Sequence, residues 1–172
     1  VRLRILELAP SPPGLLSYLQ AQIPRPWEPG SPEAFPLPPN FAFHRLRQQA
    51  NALAILEALP PPAPAEALLA LTTTDLFLPA LTFVFGASAL GARRSLVSIA
   101  RLRPQTPHWQ LWYRRVLVEV LHELGHGLGL PHCPVAVCPM HQSFHPEAVD
   151  LKEDRFCPAC WEWLAAYPPS KR

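Results

Sequence analysis

The sequence predicts an α+β fold: an α/β-like mixed, twisted sheet with helices packed on it. Three observations carry the prediction. Apolar runs at 1–8, 67–72, 81–86 and 95–102 have strand length. Helical patterns lie between and after them. The 172 residues, 49% of them hydrophobic, suffice for one core and predict a compact single domain, 1–172.

"VRLRILEL" alternates through Val1, Leu3 and Ile5 and reads as the opening strand. A short helix follows through "GLLSYLQ", with Pro12 suited to its first turn. Residues 24–39 hold seven prolines in sixteen positions, which predicts a loop lying extended on the surface through Trp27 and Phe35. "LRQQANALAILEALP" reads as an amphipathic helix from Leu46 to Leu59, stopped by Pro60. "ALLALT", "LTFVFG" and "SLVSIARL" read as strands, with "TTTDLFLP" as a connection and "GASALGARR" as a turn-rich loop. Thr106 and Pro107 form an N-cap and N1 pair for a long helix over 107–127, apolar on several faces and so covered on most sides. Gly127 and Gly129 mark its end. A short acidic helix or turn follows at "HPEAVDLKED". The last helix, "CPACWEWLAAY", offers Trp161, Leu164 and Ala165 as its apolar face.

Charged residues make up only 16%, and the net charge is +2, so neither a nucleic-acid footprint nor an acidic tail is present. No segment approaches 18 uncharged apolar residues, which predicts no membrane span, and none reads as a signal peptide. The expected location is cytoplasmic. In a reducing compartment clustered cysteines bind metal more often than they form bridges. Oligomeric state is not legible.

"HELGHGLGLPHCPVAVCPM", 122–140, concentrates the chemistry. His122 and His126 are four apart on a predicted helix, so both rings share one face. Gly129 permits the left-handed turn that lets His132 reach the same ion. Three imidazoles leave a fourth zinc position open for water, and Glu123 beside them is the candidate general base and acid. Met140 reads either as a core filler or as an apolar floor under the imidazoles. Cys133, Cys138, Cys157 and Cys160 suit a closed, structural tetrahedral zinc. Two disulfides, a redox CPAC dithiol, an iron–sulfur cluster and separate thiols are the alternatives. Tyr113, His141 and His145 are candidates for an electrophilic stabiliser.

The extended pattern, three histidines and the glycine followed by Cys133, Cys138, Met140, Cys157 and Cys160, resembles the archaemetzincins, a family of the metzincin clan of zinc peptidases. The similarity covers most of 67–160. It implies a metzincin-like zincin fold with an upper subdomain, 1–129, and a lower one, 130–172. It implies two Zn(2+) per chain: a catalytic ion on His122, His126 and His132, and a structural ion on the four cysteines. Met140 would occupy a methionine-containing turn beneath the catalytic metal. "SLVSIARL" would be the edge strand to which a peptide or protein substrate adds. The expected activity is peptide-bond hydrolysis by metal-activated water. A catalytically weak or inactive zinc-stabilised module that binds peptides or proteins is the alternative.

Overall fold

The computed structural model describes residues 1–105 and 108–167. In chain order the elements are β1 (Arg2–Glu7), α1 (Leu15–Gln22), β2 (Glu28–Pro29), β3 (Glu33–Ala34), β4 (Phe43–His44) and β5 (Gln49–Asn51). Then come α2 (Ala52–Ala58), β6 (Glu66–Thr72), β7 (Leu76–Phe77), β8 (Gly86–Ser88) and β9 (Arg94–Ser98). Three helices finish the fold: α3 (Trp109–Leu128), α4 (Pro146–Asp150) and α5 (Pro158–Ala165).

The main sheet runs β2–β1–β6–β9–β8, with β3 also on β1. All its pairings are parallel except β8 with β9. Strand periodicity divides its side chains between two cores. Leu3, Ile5, Leu69, Leu71 and Val97 face a large core shared with α1 and α3. Leu6, Leu68, Ala70 and Leu96 face a smaller core shared with α2. The mixed sheet with helices on both faces is the α+β architecture expected. No helix among the described residues is long and apolar enough to cross a membrane.

Several elements fall elsewhere than the sequence pattern suggests. The helix expected from Leu46 starts only at Ala52, because Asn51 caps it by accepting from the N–H groups of Leu53 and Ala54. Gln49 instead joins a second, three-stranded sheet (β4–β5–β7), its buried amide donating to Asp75 at 2.9 Å and to the Thr82 carbonyl at 3.0 Å. Leu46 is 95% exposed. "LTFVFG" is mostly irregular; strand structure forms on either side of it, at β7 and β8, inside the stretches expected to be connection and loop. The proline-rich segment lies extended, and its short β2 and β3 pair with β1 while Trp27 is buried in the main core. The helix α3 begins at Trp109 with the His108 ring accepting from the Leu111 N–H; Thr106 and Pro107 lie outside the described residues. In α5 the buried residues are Cys160 and Leu164, one turn apart, and Trp161 is exposed.

The largest correction concerns the cleft. β9 is not an edge strand: it lies between β6 and β8. The edge is β8, whose three residues pair antiparallel with Ser95–Val97. A run as apolar as "SLVSIARL" is buried on both faces, which is the signature of an interior strand.

Candidate metal centres

The helix α3 carries the first centre because nearly all its surface is covered, so its few polar side chains are held rigidly. His122 is buried and His126 half-buried, one turn apart. Gly129 ends the helix at φ 104, a left-handed geometry that glycine adopts without strain, and its N–H returns to the carbonyls of Gly125 and His126. The chain reverses there and brings His132 back. The ring nitrogens of His122, His126 and His132 that could serve as ligands all lie within 4.8 Å of one another.

Backbone carbonyls fix the tautomers. His122 Nδ1 lies 2.7 Å from the Pro139 oxygen, and His126 Nδ1 lies 2.7 Å from the Leu130 oxygen. A carbonyl only accepts, so each Nδ1 carries the proton and each Nε2 presents a lone pair. The two Nε2 atoms converge to 3.1 Å. A tetrahedral ion with nitrogens at 2.0–2.1 Å sets such atoms about 3.3 Å apart. Burial also keeps the imidazoles in the neutral form that binds metal: it pushes His122 down to about 3, with His126 adding repulsion, and it lowers His126 and His132.

Glu123 follows His122 on α3 and is buried against β8. Its carboxyl lies so close to Gly86 that a Cβ there would meet Glu123 Cγ at 2.6 Å and Oε1 at 2.8 Å. Burial pushes this carboxyl up to about 8. The Glu123 backbone carbonyl accepts from two hydroxyls, Ser88 and Ser95, each at 3.0 Å, which ties this turn of α3 to β8 and β9. Gly86→Ala is therefore expected to displace the carboxyl and lower kcat/KM by about 10- to 100-fold, read by steady-state kinetics beside a circular-dichroism check of folding.

Met140 is fully buried, and a Cβ on Gly125 would overlap its sulfur, so the methionine rests on the helix turn between His122 and His126. Gly125→Ala is expected to cost about 1–3 kcal/mol through overpacking. Thermal denaturation of the variant checks this, and an unchanged melting temperature would contradict the tight seating of Met140.

The second centre adjoins the first. The sulfurs of Cys133, Cys138, Cys157 and Cys160 lie within 4.8 Å of one another, and all four thiols are free. Cys133 and Cys157 are 3.8 Å apart, which matches the sulfur spacing of about 3.8 Å around a tetrahedral ion with 2.3 Å bonds. Burial raises the thiols of Cys138 and Cys160; at Cys157 burial is outweighed by hydrogen bonds from Cys160 and the other cysteines, which lower it. The two centres share a frame. The Cys133 N–H donates to the Met140 carbonyl at 2.9 Å, and His141 Nδ1 lies 2.9 Å from the Cys133 carbonyl.

Of the three stabiliser candidates, none lines the cleft beside the histidines. The Tyr113 hydroxyl donates to the Pro13 carbonyl at 2.6 Å, His141 binds the Cys133 carbonyl, and His145 caps α4. Sequence reasoning missed Gly86, Ser88 and Glu119, all of which line the cleft. It also left unassigned the buried Lys152, whose ammonium donates to the Pro139 carbonyl at 3.1 Å, the same oxygen that holds His122. A signal for Glu119 existed: a carboxylate on an otherwise covered helix, four residues before Glu123.

Residues 65–166 match the sequence model of Peptidase family M54. The archaemetzincin of Methanopyrus kandleri is 40% identical over 127 residues, covering 73% of this chain and 71% of that one. The crystal structure of the Methanopyrus kandleri archaemetzincin superposes with a TM-score of 0.84 at 31% identity, over 95% of this chain and 93% of that one. That of the Archaeoglobus fulgidus archaemetzincin, complexed with malonate, superposes with a TM-score of 0.83 at 30% identity, over 94% of this chain and 99% of that one. The pattern of histidines and cysteines, the geometry that gathers them, the metzincin-like fold and these relatives agree: the chain belongs to the archaemetzincin family, zinc metallopeptidases of the metzincin clan.

Proposed function

We propose that the chain hydrolyses peptide bonds with one catalytic zinc on His122, His126 and His132 and one structural zinc on Cys133, Cys138, Cys157 and Cys160. The observation that carries this reading is the convergence of the two Nε2 atoms at 3.1 Å, each backed by a carbonyl on Nδ1. A zinc held by these three histidines would polarise a substrate carbonyl and lower the pKa of a water toward 7. The positive charge also opposes the effect of burial on Glu123 and favours its ionised form. Glu123 takes a proton from the attacking water and delivers it to the leaving amine. Met140 supports the histidine turn from below. The peptide lies along the free edge of β8 and adds to it by backbone hydrogen bonds.

The division at Gly129 fits this use. Residues 1–129 contribute the sheet, α3 and two histidines; residues 130–172 contribute His132 and the cysteine ion that fixes its loop. The test is direct. Purified protein should contain two zinc ions per chain by mass spectrometry of the native form, and should cleave members of a peptide library. One ion or none contradicts the assignment of two centres. Two ions without cleavage of any peptide favour the zinc-stabilised binding module instead.

A further inference from the structure

Buried polar atoms without a hydrogen-bond partner are uncommon in folded proteins, and each one asks for a cause. Four such side-chain atoms occur among the described residues: Trp27 Nε1, Glu119 Oε1, Glu123 Oε2 and Ser143 Oγ. The residues that carry the last three, Glu119, Glu123 and Ser143, all line one cleft of about 490 Å³, the cleft that contains the three histidines. Glu123 has its role in the reaction proposed above. Glu119 and Ser143 have none. Glu119 lies one turn before Glu123 on the same face of α3, so it lines a recess about 6 Å along the helix from the reacting centre. Glu119 is only 4% exposed. Much of the outer rim is apolar and accessible: Leu53, Leu81 and Phe144 are 48%, 49% and 71% exposed.

The charges decide what this recess accepts. Lys152 Nζ stands 3.8 Å from Glu119 Oε1, with side-chain exposures of 1% and 5%. That distance matches the carboxylate's charge but makes no hydrogen bond; the ammonium donates to the Pro139 carbonyl instead. A cationic guest would add a second positive charge to a pair already neutral, close to a divalent ion. An anionic guest would meet Glu119 and Glu123. Oε1 and the Ser143 hydroxyl are already closed to water without partners, and an apolar guest would leave that deficit in place. A neutral group that both donates and accepts meets every condition.

We propose that this recess is a specificity site for a neutral hydrogen-bonding side chain of the substrate, a carboxamide above all, with Glu119 accepting from its amide nitrogen and Ser143 donating to its oxygen. The proposal rests on the reading that the cleft binds peptides. It goes beyond that reading by naming the residue type that peptides place beside the scissile bond: glutamine or asparagine.

The test uses acetylated, amidated alanine-based octapeptides in which one residue, Gln, Asn, Met, Leu, Lys or Glu, is walked across the four central positions. Cleavage is measured with the zinc-loaded protein. Binding is measured by calorimetry with zinc-loaded Glu123→Gln, so that affinity is read without turnover. At one position Gln should exceed its near-isostere Met by about tenfold or more in both readouts. Ser143→Ala should shrink that ratio. Glu119→Leu alone strands Lys152 as an unpaired buried charge and endangers folding. The double variant Glu119→Leu, Lys152→Met removes both charges together and should reverse the ratio in favour of Met.

Preference for Lys would show a cation site and overturn the proposal. Preference for Met or Leu would show an apolar pocket, and equal use of all six a recess filled by solvent; either result overturns it. Gln-selective binding without cleavage upholds the specificity site and removes the peptidase reading. Cleavage without Gln selectivity does the reverse. Neither binding nor cleavage of any peptide overturns both.

Discussion

Glu123→Gln is expected to lower peptide hydrolysis by about 10²- to 10⁴-fold while both zinc ions stay bound. Glutamine keeps the shape of the side chain against Gly86 but cannot take a proton from water. Steady-state kinetics with metal analysis on the same sample reads both halves. Stability gives an independent check. In the metal-free chain the folded state holds the Glu123 proton up to about pH 8, whereas an unperturbed carboxyl releases it near 4.5. Folding then takes up a proton between those values, and stability falls as pH rises across that window. Glutamine has no such loss. The metal-free variant should therefore melt no lower than the parent at pH 4 and higher at pH 8. A variant that is inactive because it is misfolded would melt lower at both. Retained hydrolysis would remove Glu123 from the reaction.

Cys133→Ser is the second large effect, and it acts on both centres. A closed thiolate site supplies much of the folding free energy of the segment it ties together. Losing one ligand should lower the melting temperature by about 10 °C or more. The same substitution should weaken zinc at the histidines by about tenfold or more. The route is short: His132 is bonded to Cys133, whose N–H holds the Met140 carbonyl, and the neighbouring Pro139 carbonyl holds His122. Competition with a chromophoric chelator resolves the two affinities. Unchanged affinity at the histidines would make the two centres neighbours in sequence only.

The sequence and the structure agree best where local geometry alone decides the outcome. Two histidines four apart on a helix share a face whatever surrounds them, and a glycine at a helix end permits the return of His132. For the cysteines, spacing favours a closed zinc site but leaves disulfides and separate thiols open, and the structure is what brings the two distant pairs together. Met140 is different: from its own residue type it reads equally well as core, and only the resemblance to a family singles it out. The edge of the cleft was misplaced for a physical reason. "SLVSIARL" is apolar because neighbours cover it on both sides, whereas the true edge, Gly86–Ser88, is too short and too small to show any period. Glycine stands there because Glu123 occupies the space a side chain would need. The start of α2 was missed because the apolar spacing runs on through Leu46 and Ala50, while Asn51 caps the helix behind them. The buried roles of Glu119 and Lys152 are not legible in the sequence because the pairing that makes them tolerable inside a core joins residues 119 and 152, far apart in the chain.

The shared Pro139 carbonyl has a consequence in time. His122, His126 and His132 all leave the ribosome before Cys157 and Cys160. The oxygen that orients His122 belongs to the loop that Cys138 and the two late cysteines pin down, and the Lys152 ammonium that reaches the same oxygen also arrives after the histidines. A nascent chain thus carries all three histidines before the residues that frame His122 have been made. If the two zinc sites are as proposed, the catalytic one would be framed only once the start of the last helix has been made.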